Sequence, residues 1–224
     1  MSTEDKQQPR PFDRLTGRAI AIDQPNVDTD QIIPARFLAL PRAEQVAHLF
    51  NDVRYHEDGT PRASFPLNAS TAAGAQILIA DRNFGCGSSR EHAVSVLVDN
   101  GFRVFIAPSF GDIFHNNSFQ NGALPIRLPA ERIREMIDHL ARRPDAHITI
   151  DLEAQTVTGP DNWTQSFEID SFRKQCLLTG SDDISLTLTY ADAIAAHERR
   201  AAAGRTGSDR TTSPKQKKQE EAHS

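Results

Sequence analysis

The sequence is poor in cysteine, in long apolar runs and in excess positive charge. Its 224 residues include two cysteines, Cys86 and Cys176. Two thiols so far apart make no disulfide framework, so a reducing cytoplasm is the expected compartment. No apolar stretch approaches the ~20 residues that span a membrane. The opening "MSTEDKQQPRPFDR" is polar throughout, which excludes a secretory signal. A net charge of −5 leaves no basic excess to neutralise phosphates, so general nucleic-acid binding is not expected. Apolar periodicity is also missing at both ends. Residues 1–10 and 199–224 are polar and cannot bury enough surface to offset the entropy of ordering. The lysine-rich stretch 215–218 therefore reads as part of a solvated tail.

Between these ends the patterning predicts one α/β domain, residues 11–198. "GRAIAID" (17–23) alternates like a strand, and "PNVDTDQIIP" (25–34) reads as a loop. "EQVAHLF" (44–50) suits a short helix. "QILIA" (76–80) and "FRVFIA" (102–107) are continuous apolar runs, expected of strands covered on both faces. A helix from Ser88 to Asn100 lies between them, with Ser88 and Glu91 in capping-box spacing and Asn100-Gly101 as the stop. This order predicts a βαβ unit with parallel strands. "DIFHNNSFQN" (112–121) reads as a helix and "LPIRL" (124–128) as a strand. Residues 130–143 place apolar side chains at 133, 136, 137 and 140, one helical face. "HITIDLEA" (147–154) and "WTQSFEI" (163–169) flank "TGPDN" and predict a hairpin. Helices are expected at 171–179, 182–188 and 190–198.

The chemistry concentrates in "NFGCGSSREH" (83–92). A catalytic thiol at Cys86 would gain from a nearby helix start, which favours thiolate. His92, however, need not face it, and a free cysteine is commonly a small hydrophobe. A serine elbow requires G-x-S-x-G, which "GCGSSR" does not meet. A phosphate loop or dinucleotide fingerprint would need a third glycine or a lysine in place. Anion binding fits better: glycines permit close backbone approach, a helix start offers N–H groups, and Arg90 offers a fork suited to a carboxylate. A simple capping box with an incidental arginine accounts for the same residues, so both readings stand on the residues alone.

"NFGCGSSREHA" (83–93) resembles the signature of the aconitase swivelling domain. With Cys86 between the glycines it resembles the 3-isopropylmalate dehydratase small-subunit family. "NVDTDQIIPARFL" (26–38), "AHLFND" (47–52), "IAPSFGDIFHNNSFQN" (106–121), "DLEAQ" (151–155) and "LTLTYADAIAAHE" (186–198) agree in order and spacing, so the resemblance covers residues 12–198. It implies a swivelling β/β/α domain, a sheet core with flanking helices. It also implies a hydro-lyase of leucine biosynthesis that interconverts 2-isopropylmalate and 3-isopropylmalate through 2-isopropylmaleate. The implied partner is a large subunit carrying a [4Fe–4S] cluster. Two cysteines fall short of the roughly three or four thiolates such a cluster takes, so activity of this chain by itself is not expected.

The resemblance also carries roles onto residues. Ser88 matches a serine that, as alkoxide, takes a proton from carbon. Ser89 and Arg90 match residues that bind substrate carboxylate. Asp30 matches an aspartate supporting a histidine of the other domains; read without the resemblance, "DTD" is an Asx-turn loop, and an EF-hand is excluded because no glycine or glutamate follows in place. If Ser88 capped its helix, its hydroxyl would be engaged, whereas a cap at Ser89 would leave it available. Ala39 and Leu40, after "IIPARFL", match the segment that meets the substrate's variable group and suit an apolar isopropyl. Arg36 reads as surface or partner-facing. The chain departs from the family pattern at "PRAEQV" (41–46), "VSVL" (94–97) and "PRASFPLNAST" (61–71). A relative acting on 2-methylmalate or another 2-substituted malate is the alternative enzyme, and a non-catalytic carboxylate sensor is the alternative outside enzymes.

Overall fold

The structure is a computed structural model, and residues 10–181 are described. The segments expected to be unfolded (1–10, save its last residue, and 199–224) and the helices expected at 182–188 and 190–198 lie outside the described residues. Seven strands form one mixed sheet: β1 (Arg14–Ile22), β2 (Ile77–Ala80), β3 (Val104–Ala107), β4 (Leu124–Arg127), β5 (His147–Asp151), β6 (Thr156–Thr158) and β7 (Thr164–Ser166). Their order is β4-β3-β2-β1-β5-β6-β7. The half from β4 to β1 is parallel and the half from β1 to β7 is antiparallel. β1 joins the two halves, its end pairing Ala19–Ile22 with Ile77–Ala80 and its start pairing Arg14–Arg18 with Asp151–His147. Pro125 breaks no ladder because β4 lies at the edge of the sheet.

The strands of the parallel half alternate between two cores. Leu78, Ala80, Phe105 and Ala107 face a core closed by α4 (Glu91–Asp99) and α5 (Asp112–Gln120). Ile77, Ile79, Val104 and Ile106 face the opposite core, which takes Ile133, Met136, Ile137 and Leu140 from α6 (Ala130–Arg142). β2 and β3 are therefore apolar at every position, while α6 is apolar on one stripe only. α7 (Ser171–Thr179) has the expected bounds; it starts at the Asp170 cap and ends at Gly180.

Three expectations need correction. The predicted hairpin is a three-stranded meander: β6 lies between β5 and β7, so "HITID" and "TQS" do not pair directly. "PNVDTDQIIP" contains a one-turn helix, α1 (Thr29–Ile32), whose capping box is Asp28 with Gln31. "EQVAHLF" divides into the end of α2 (Arg42–Gln45), a 3₁₀ turn at Val46–His48, and Phe50, which is left-handed (φ 57°) and leads into α3 (Asn51–Arg54).

His115 on α5 sits between the rings of Phe110 and Phe119, at centroid distances of 5.9 and 5.2 Å. Burial, aided by the nearby Arg127 and Arg173 guanidinium groups, lowers its pKa from 6.5 to about 4. Between those pH values the unfolded chain binds a proton that the folded chain refuses. Stability should therefore fall as pH drops from 6.5 towards 4. In urea unfolding across this window, His115→Phe should lose less stability than the parent; an equal loss would show that the imidazole is not the group responsible.

Candidate active site

The loop 83–90 is held between two neighbouring loops, mainly by backbone bonds. On one side Gly85 N–H donates to Val27 (2.7 Å), Thr29 N–H to Cys86 (2.9 Å) and Asn26 N–H to Arg82 (2.9 Å). On the other side Phe84 N–H donates to Ser109 (3.1 Å) and Gly111 N–H to Phe84 (2.9 Å). The path requires glycine at position 85: φ is +70°, and a Cβ there would stand 2.2 Å from Cγ of Phe114. Gly87 is also left-handed, at φ +95°, and brings the chain across Asp28 to the exposed serines.

Neither serine caps the helix. α4 begins at Glu91, with Arg90 as N-cap and no side-chain capping bond. The capping box expected from Ser88 and Glu91 is absent because the chain is still turning at Ser88, whose carbonyl accepts from Arg90 N–H (2.8 Å) and from Thr29 Oγ1 (3.2 Å). The Ser88 side chain is exposed, and its hydroxyl makes no hydrogen bond to another described residue. The structure thus resolves the competition between capping and availability in favour of an available hydroxyl. Ser89 beside it is likewise exposed.

Arg90 turns back from the start of α4 and forms an ion pair with Asp30 through Nη1 and Oδ1. Residues sixty positions apart in the chain therefore meet beside Ser88. Asp30 lies in the first turn of α1, which Asp28 caps through a 2.8 Å bond from Gln31 N–H. Buried Thr29 and capping Asp28 are the positioning residues that the sequence reading passed over. The D-x-x-Q spacing of "DTDQ" was the available signal.

Burial, with the Asp28 carboxylate adding to it, raises the Cys86 pKa. The raised pKa runs against the thiolate that a nearby helix start would favour. Among the described residues no group of three or more His, Cys, Asp or Glu could hold a metal ion. The two thiols do not fit a [4Fe–4S] cluster: Cys86 lies in the loop and Cys176 is buried on α7.

Ala39 and Leu40 lie between α1 and α2. They follow a 3₁₀ turn at Ala35–Phe37, with Ala39 exposed and Leu40 half-buried. Arg36 is exposed and engages Asp52 in an ion pair that holds the Asp52 carboxyl at about 2. The same guanidinium lies 4.4 Å over the Phe37 ring, which stacks on His48 at 3.8 Å.

A mixed sheet that presents a serine–arginine loop at a helix start is the architecture of an aconitase-type domain. The family model described as the aconitase C-terminal domain matches residues 10–131, and a second model, LeuD_N, matches residues 135–171. The chain is 49% identical over 195 residues to the 3-isopropylmalate dehydratase small subunit of Dinoroseobacter shibae, covering 87% of this chain and 97% of that one. It is 51% identical to that of Jannaschia sp., with the same coverage. It is 50% identical over 192 residues to that of Geobacillus kaustophilus, covering 85% and 97%. A crystal structure of 3-isopropylmalate dehydratase from Methanocaldococcus jannaschii superposes with a TM-score of 0.58 at 26% identity, covering 83% of this chain and 99% of that one. The chain belongs to the 3-isopropylmalate dehydratase small-subunit family.

Proposed function

We propose that this chain supplies the proton-abstracting, carboxylate-binding half of a 3-isopropylmalate dehydratase active site. In this reading a large subunit supplies the other half and its [4Fe–4S] cluster. The enzyme works in leucine biosynthesis, in the cytoplasm, and no helix among the described residues is long and apolar enough to cross a membrane. The observation that carries the reading is the convergence of an uncapped Ser88 hydroxyl, Ser89 and the Arg90–Asp30 pair at the start of α4.

Ser88, as alkoxide, takes the proton from C3 of 2-isopropylmalate as the C2 hydroxyl leaves; an acid of the large-subunit half would protonate that leaving oxygen, which yields 2-isopropylmaleate and water. Water then adds across the double bond with the opposite placement to give 3-isopropylmalate. A serine is a poor base in water. The partial positive charge of the helix start and the Arg90 guanidinium lower the cost of its alkoxide. Arg90 and Ser89 hold a substrate carboxylate, and Asp30 keeps the guanidinium oriented until that carboxylate arrives. In the assembled enzyme Asp30 also steadies a histidine of the large subunit. Ala39 and Leu40 face the isopropyl group.

The test is the ultraviolet absorbance of the unsaturated diacid. This chain mixed with a large subunit should generate the signal from 2-isopropylmalate, and each chain assayed separately should not. Full activity of this chain by itself would overturn the two-chain reading. No signal from the pair with several 2-substituted malates would favour a carboxylate sensor.

A further inference from the structure

We propose that Gln45 is a positioning residue for the turn that carries Ala39 and Leu40, and through that turn sets discrimination between substrate 2-substituents. The proposal rests on the reading that Ala39 and Leu40 face that substituent. The segment is a run of tight turns: Phe37 N–H donates to Pro34 (3.0 Å), Leu38 N–H to Ala35 (3.1 Å) and Leu40 N–H to Phe37 (3.1 Å). The carbonyls of Leu38 and Leu40 are met by a side chain. Gln45 Nε2 donates to Leu40 at 2.9 Å and, more weakly, to Leu38 at 3.4 Å. One amide thus straps the residues on either side of Ala39.

Gln45 is 3% exposed, and its Oε1 is buried with no hydrogen-bond partner among the described residues. An apolar side chain of similar length would fill the same space without stranding an oxygen. What the amide adds is therefore its donations to the turn, not its volume. The segment is also tied to the far end of α4. Arg42 forms a bidentate pair with Asp99 (2.7 and 2.9 Å), and Asn100 Nδ2 donates to Val46 (3.1 Å) and Val96 (2.8 Å). The helix that presents Arg90 at its start therefore anchors the Ala39–Leu40 segment at its end.

The test compares kcat/KM for 2-isopropylmalate and 2-methylmalate in the reconstituted two-chain enzyme. Gln45→Met should lower the isopropyl-to-methyl ratio about tenfold, through KM for the isopropyl substrate, with kcat within about threefold. Leu40→Ala should lower the same ratio, and the double variant should fall no further than the worse single. An unchanged ratio in Gln45→Met with a lowered one in Leu40→Ala would overturn the proposal and leave the reading of Leu40 standing. An unchanged ratio in both would overturn that reading and the proposal with it. An equal loss of kcat on both substrates would make Gln45 a structural residue only. If Gln45→Met does not assemble, Arg42→Ala loosens the same segment from its exposed side: a fall of about threefold supports the strap, and an unchanged ratio overturns it.

Discussion

Ser88→Ala should reduce kcat of the reconstituted enzyme by about a thousandfold, the scale expected when a positioned proton-transfer group is removed. The same substitution should leave the chain folded and able to assemble. The exposed Ser88 hydroxyl has no bond to another described residue, and the backbone carbonyl that Thr29 Oγ1 holds is retained in alanine. Loss of a helix cap would cost about 1 kcal/mol, but the cap position belongs to Arg90, so a stability change within about 0.5 kcal/mol is expected. Turnover should therefore collapse at unchanged thermal stability and unchanged binding to the large subunit. Near-normal turnover would remove Ser88 from the mechanism. Cys86→Ser is the matched control in the same loop. The raised thiol pKa makes Cys86 neutral filler between two glycines, so most activity should persist.

Gly85→Ala should destabilise the chain by about 3 kcal/mol or more, the sum of a left-handed alanine and an overpacked core. The added Cβ would meet Cγ, Cδ2 and Cβ of Phe114 at 2.2, 2.4 and 2.7 Å. Phe114 cannot step aside: it is 1% exposed and packs on the rings of Phe84, Phe105 and Phe110 at 5.3, 5.4 and 6.1 Å. The loop cannot lift away without giving up the 2.7 Å bond from Gly85 N–H to Val27. A fall in Tm of about 6–12 °C corresponds to this cost for a chain of this size. A change within about 1 °C would mean that the loop follows another path.

The pair of substitutions separates two properties of one loop. Position 85 stores its effect in folding, because it is pressed into the phenylalanine core. Position 88, three residues on, is exposed and uncommitted, so its effect is expected in turnover rather than in folding.

Much of this was legible in the sequence because it depends on local period and composition. The four-residue apolar runs of β2 and β3 declared strands covered on both faces. The spacing 133, 136, 137, 140 declared the buried stripe of α6. The glycines of "NFGCGSSREH" marked a backbone in unusual conformations near a helix start. What the sequence could not decide were matters of register and long-range approach. Ser88 and Glu91 have the spacing of a capping box, yet helical φ/ψ begins only at Glu91, and spacing does not report where a turn ends. Asp28 and Gln31 have the same spacing, and there the box forms, because the backbone bonds Gly85–Val27 and Thr29–Cys86 fix that loop against its neighbour. Arg90 and Asp30 meet only because β1 and β2 lie side by side and parallel, which carries the loops after both strands to the same end of the sheet. The identities of the residues in the loop were set by the chain itself. Which hydroxyl is available, and which carboxylate orients the arginine, were set by tertiary structure, because both depend on contacts between segments that no local pattern encodes.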